Sequence, residues 1–272
     1  MDGLFWLKLL PALLATGAVA GVLAGLLGVG GGIVIVPVLV FLSPLIGVEV
    51  SVAMQFAVAT SLTTIIATSI ASARAHYQKG SIDLQLFRQW VGFVFTGALL
   101  GGWLGSRVSG NVLSGVFGSV ALLVAINMLR PKGLVLADNP PRSWLSRASI
   151  GGGIGLFSAL MGIGGGTLTV PILTLCSFPM RLAVGTASLF GLTIALPAVF
   201  GFAMAGQDIQ GLLPLSLGFI NLPAAFCIAL GTTFCAPFGA KLAHTIEPKQ
   251  LKIAFGLFLL LSASKMLYRT FF

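Results

Sequence analysis

Charge is what this chain has least of. Asp, Glu, Lys and Arg make up 8% of its 272 residues, where a soluble domain carries about a quarter. With 57% hydrophobic residues and a mean hydropathy of +1.07, the surface has to face lipid, and the length suits roughly ten spans of ~20 residues with short loops. Acidic residues are scarcest: six against 15 Lys and Arg, a net charge of +9. Nucleic acid is not the expected partner, because the basic residues cluster between apolar segments, as the positive-inside rule requires. Only three cysteines and two histidines are present. Cys176, Cys227 and Cys235 fall in apolar segments, no CxxC occurs, and His76 and His244 read as loop residues, so neither a metal site nor a disulfide is expected. Glu49 and Asp83 stand at segment ends. No convergent nucleophile, base or Walker A pattern exists, which argues against an enzyme and against ATP hydrolysis; no cofactor is expected.

What the chain does have is apolar segments in two sets of five. They fall at 4–27, 33–46, 50–75, 87–108 and 112–129, and again at 145–161, 168–178, 182–205, 212–238 and 251–267. The expected organisation is a first transmembrane repeat at 1–130, a cytoplasmic linker at 131–147 and a second repeat at 148–272. The N-terminal run has no clear cleavage site and reads as the first membrane segment.

The two sets are related. Residues 25–42, "GLLGVGGGIVIVPVLVFL", align on 159–176, "ALMGIGGGTLTVPILTLC", at an offset of 134 with eight identities in eighteen. Gly28, Gly30, Gly31, Gly32 and Pro37 fall on Gly162, Gly164, Gly165, Gly166 and Pro171. The final segments match as well, "VFGSVALLVAINML" with "AFGLFLLLSASKML", so the chain carries an internal duplication. Loop charge sets the orientation of the copies. The loop with Arg74, His76, Lys79 and Arg88 has a counterpart bearing only Asp208. The loop bearing Arg107 has a counterpart with Lys241, His244, Lys249 and Lys252. Equivalent loops therefore belong on opposite sides. The fold expected is an all-α polytopic membrane protein of two inverted repeats, about five apolar segments each, with both termini outside; Lys265 and Arg269 run against that placement. Inverted repeats are characteristic of secondary transporters, where two mirror packings alternate around one site.

Each repeat breaks at its glycines. The stretch 33–46 would span about 21 Å as helix, short of a ~30 Å hydrocarbon core, which predicts broken or re-entrant helices at the GxGGG motifs. The first N–H groups of the half-helix that follows have no intrahelical partner and sit at the positive end of its dipole. Glycines leave no side chain in the way, so two such ends could cradle an oxyanion without an intramembrane cation. Gly30–Gly32 and Gly164–Gly166 are the candidate substrate contacts, with Gly28, Pro37, Gly162 and Pro171 as the structural frame. Gln55, Thr60, Ser61, Thr186 and Ser188 are candidate hydrogen-bonding partners, although helical Ser and Thr also bond their own i−4 carbonyls. Asn127 and Asn221 read as interhelical amides; Arg74, Arg107, Arg181 and Lys241 read as interface anchors. The series Gly17, Gly21, Gly25 and Gly97, Gly101, Gly105 are small-residue packing faces, usable within the chain or in a homodimer.

Paired GxGGGxxxxP motifs, Gly28–Pro37 and Gly162–Pro171, in a glycine-rich membrane chain of this length resemble the sulfite exporter family TauE/SafE. The resemblance extends through "LGSRVSGNVL" and "FGAKLAH" to both final segments, covering essentially the whole chain. It implies a multi-pass carrier of the bacterial inner membrane that exports sulfite, sulfoacetate or related organosulfonates, with an anion channel of the same architecture as the alternative. The implied partners are a small sulfur-containing anion and the lipid bilayer.

Overall fold

The glycine motifs divide the helices where the sequence predicts. The computed structural model describes residues 3–27, 31–129, 137–141, 143–206, 212–242 and 248–271. The first five helices are α1 (Gly3–Leu27), α2 (Gly32–Leu42), α3 (Ala53–Gln78), α4 (Leu84–Gly105) and α5 (Gly110–Leu129). The second five are α6 (Trp144–Met161), α7 (Gly165–Leu175), α8 (Met180–Ala205), α9 (Leu222–Leu242) and α10 (Pro248–Phe271). A two-residue hairpin, β1 (Ser216–Leu217) with β2 (Ile220–Asn221), precedes α9. Among the described residues, four helical stretches are long and apolar enough to cross a membrane: Ala53–Gln78, Gly110–Asn127, Met180–Ala205 and Leu222–Gly239. At 11 residues each, α2 and α7 reach only about 17 Å.

The small-residue faces set the helix directions. A Cβ on Gly17 would lie 2.5 Å from the Ile228 carbonyl, and one on Gly21 2.6 Å from that of Thr232. Positions rise together, so α1 and α9 run parallel with their backbones in contact. Gly97 against Gly152 and Gly101 against Leu156 repeat the arrangement between α4 and α6. These faces are thus used within one chain, where close backbone approach brings the dispersion contacts that hold helices together in lipid. By contrast α3 and α8 run antiparallel, Gly191 meeting Ser69 and Gly185 meeting Ser81. So do α5 and α10, with Gly118 on Leu267 and Gly256 on Leu129. The α1–α9 pairing is thus matched by α4–α6 with the partners exchanged, and α3–α8 and α5–α10 each pair corresponding helices of the two sets.

One hydrogen bond repeats with the same exchange. The Asp83 backbone N–H donates to Thr186 Oγ1 at 2.9 Å, and the Asn221 N–H donates to Thr60 Oγ1 at 3.4 Å. Asp83 is the N-cap of α4, its carboxylate accepting from Leu86 N at 2.8 Å. Asn221 does the same for α9, Oδ1 accepting from Ala224 N at 2.9 Å.

Four sequence expectations change. Asn221 is a helix cap rather than interhelical glue; its Nδ2 donates to Pro214 O and Ser216 Oγ within its own hairpin. The apolar stretch 212–238 is a turn and hairpin before it becomes helix. α6 starts at Trp144 behind its Ser143 cap, inside the residues assigned to the linker. Finally, Arg74 and His76 are not in a loop: α3 continues to Gln78.

These directions gather the cations. Arg181 Nε donates to Ser81 Oγ at 3.0 Å, bringing the start of α8 to the α3–α4 turn. Arg74, Lys79, Arg88, Arg147 and Arg181 therefore share one end of the molecule. Among the described residues the opposite end has Arg107, stacked 4.4 Å over Trp103, and Lys265, 4.0 Å over Phe41.

Candidate functional site

Although their sequences match, the two breaks are built differently. α6 ends on Gly162 in the left-handed region (φ 68°). The Gly162 N–H reaches the Ala159 carbonyl and the Ile163 N–H the Ser158 carbonyl at 3.0 Å, the six-to-one closure that a glycine at this position permits. Gly164 is extended, and α7 begins at Gly165 with no side-chain cap. On the other side, α2 begins behind Gly31, also left-handed at φ 74°; Gly28 and Gly30 lie outside the described residues. The frame prolines Pro37 and Pro171 sit inside α2 and α7, where each removes the N–H that would bond the carbonyl four residues earlier.

A cavity of about 300 Å³ opens beside the second break. Gly164, Gly165 and Gly166 form one wall, with Ala187, Ser188 and Gly191 of α8 next to them. Thr68, Ser69, Ser72 and His76 of α3 line a second wall, and Thr232 and Thr233 of α9 a third. The cavity extends towards half-buried His76, at the end of the molecule where the cations gather. Lys79 and Arg181 lie close enough to act electrostatically on His76. Among the described residues, no carboxylate lines this space. A mouth carrying positive charge above an uncharged chamber concentrates anions at its entrance.

At Gly32 the first break faces protein instead. A Cβ on Gly32 would stand 2.6 Å from the Gly162 carbonyl, 3.0 Å from Ile163 Cα and 3.0 Å from Ile65 Cδ1. Ser61 Oγ donates to that same Gly162 carbonyl at 2.7 Å, fully buried. The two breaks meet, as inversion would have it, but at this contact there is no room for a ligand.

The sequence candidates therefore divide. Gly164, Gly165, Gly166 and Ser188 reach the cavity. Gly31, Gly32, Gln55, Thr60, Ser61 and Thr186 do not line it. Gln55 lies towards the start of α5, Nε2 donating to Val108 O at 2.9 Å. Thr60 and Thr186 receive the backbone N–H groups at the starts of α9 and α4. Even Ser188 commits its proton to Gly185 O at 2.6 Å, and Thr68 and Thr232 likewise donate to carbonyls of their own helices. The protons of these hydroxyls are therefore committed within their own helices.

The residues that sequence reasoning missed are Ser69, Ser72 and His76 on α3, Gly191 on α8, and the Thr232–Thr233 pair. A signal existed: Ser69, Ser72 and His76 recur at i, i+3 and i+7, one helical face. It was hidden because His76, just beyond the 50–75 segment, reads as a loop residue.

Comparison with known proteins gives one family model, "Sulfite exporter TauE/SafE", matching residues 13–266. A probable membrane transporter protein of Haemophilus influenzae is 33% identical over 256 residues, 93% of this chain and 96% of that one. Proteins of the same description from Methanocaldococcus jannaschii and Bacillus subtilis are each 28% identical, over 94% and 96% of this chain and 97% and 98% of theirs. No solved structure matches.

Proposed function

Because the chain belongs to the TauE/SafE family of sulfite exporters, we propose that it is a secondary transporter exporting small sulfur-containing anions, sulfite or a short organosulfonate, by alternating access. The observation that carries this is the one-sided cavity. It reaches the cationic end of the molecule beside Gly164–Gly166, while Gly32, Ile65 and Gly162 close the other side. A continuous channel would be open past both breaks.

Two inverted repeats with a cytoplasmic linker accord with the exchanged helix pairings, the antiparallel α3 and α8, and the reciprocal Thr60 and Thr186 bonds. The cationic end is then cytoplasmic, the protein sits in the bacterial inner membrane, and this conformation faces inward. The substrate meets the N–H groups that open α7, where the helix dipole favours negative charge. Gly31, Gly32, Thr60, Ser61 and Thr186 hold the walls that make the cavity one-sided. Expelling an anion from an inside-negative cell gains about 2.3 kcal/mol per charge per 100 mV, so export requires no second ion.

Efflux from proteoliposomes tests this. Sulfite and methanesulfonate efflux should saturate, rise with an inside-negative potential, and far exceed that of neutral dimethyl sulfone. Flux that increases linearly with anion concentration would establish a channel, and equal flux of the sulfone would remove anion selectivity altogether.

A further inference from the structure

Among the described residues, Ser69 is the one cavity hydroxyl that is deeply buried and uncommitted. It is 7% exposed and lines the cavity, and among the described residues its Oγ has no hydrogen-bond partner, unlike those of Thr68, Ser188 and Thr232. Its proton is therefore free for a group that enters the cavity.

Its direction is set by Gly191. A Cβ on Gly191 would run into Ser69 Oγ and lie 3.5 Å from the amide nitrogen of Gly165. The free hydroxyl and the opening N–H groups of α7, an 11-residue helix, thus face one small volume across a residue without a side chain.

The first repeat has no equivalent. Aligning "AVAT" (57–60) on "AVGT" (183–186) places Ile65 on Gly191 and Ser69 on Ala195. Ile65 is the residue whose Cδ1 approaches Gly32, and Ala195 is fully buried and offers no donor. Where the second repeat has space and a hydroxyl, the first has an aliphatic side chain and a methyl group.

We infer that the anion is held in a single cradle, its oxygens receiving hydrogen bonds from Ser69 Oγ and from the backbone N–H groups of Gly165 and Gly166, and that the first glycine break binds none. Donors on two sides suit an oxyanion with at least two free oxygens at one end, which a sulfite or sulfonate group supplies. The inference rests on the anion-carrier reading and adds to it a residue and a stoichiometry.

Calorimetric titration of the purified full chain with sulfite and with methanesulfonate tests both points. One anion per chain is expected. Ser69→Ala should weaken binding about tenfold or more, the effect of one hydrogen bond to a charged group, while Thr193→Val, whose hydroxyl donates to Leu189 O outside the cavity, stays within about threefold. Should Ser69→Ala fail to fold, Ser69→Cys keeps the volume with a poor donor and should show the same loss. Parental affinity in either folded variant, or two anions per chain in the parent, overturns the single cradle. If at the same time Gly165→Ala abolishes binding, the carrier reading survives without Ser69. A parent that binds neither anion overturns both.

Discussion

Two glycine breaks with the same motif do different things in this molecule. Gly164–Gly166 border a cavity, whereas Gly32 is pressed against the Gly162 carbonyl and Ile65. The backbone chemistry available to each is the same: uncapped N–H groups at the positive end of an 11-residue helix. The difference comes from α3 and α8. Gly191 leaves room opposite the second break, and Ile65 fills the corresponding room opposite the first. A helix terminus is thus a latent anion site, and its neighbours decide whether anything can reach it.

Accessibility should distinguish the breaks most sharply. With a cysteine at Thr233 on the cavity wall, a membrane-impermeant maleimide should react fully from the cationic side, and methanesulfonate should slow it. A cysteine at Ser61, fully buried beside the first break, should stay unlabelled under the same conditions. Equal labelling of both would erase the difference between the halves.

Glycine substitutions sharpen the comparison with a smaller effect. Gly31 sits at φ 74°, and a Cβ in that left-handed region costs about 1–2 kcal/mol. Gly31→Ala should therefore lower thermal stability while sulfite affinity in the folded protein stays at the parental value. A loss of affinity without a loss of stability would return the first break to the site.

The smallest effects concern the reciprocal threonines. Thr186→Val removes the acceptor of the Asp83 N–H at 2.9 Å and should cost about 1 kcal/mol of stability. Thr60→Val removes a longer bond of 3.4 Å to the Asn221 N–H and should cost less. Denaturation of both variants, read beside sulfite titration, should show changes in stability alone. A large affinity change in either would make these hydroxyls substrate contacts after all.

Much of this was legible beforehand because it is local. Scarce charge implies lipid, and GxGGG interrupts a helix, since Gly lacks the Cβ that disfavours left-handed backbone. The duplication, and the swap of loop charge between the copies, were equally visible. Other features escaped because they depend on depth. Arg74 and His76 look like loop to a hydropathy reading, yet they continue α3. Asn221 looks like an intramembrane amide until the hairpin places it at the start of α9. Thr60, Ser61 and Thr186 stand in the sequence as candidate partners for the substrate; that they meet backbone groups of other elements is invisible there, because a free hydroxyl and a bonded one are the same letter.

From sequence alone came the membrane class, the two related halves, the position of both breaks and the sign of charge such breaks favour, all consequences of covalent structure and local backbone preference. Only the tertiary structure decided which break is open. That choice depends on residues far from either motif, Ile65 set against Gly32 and Gly191 set between Ser69 and Gly165, and packing three separate helices around one point is something no local pattern encodes.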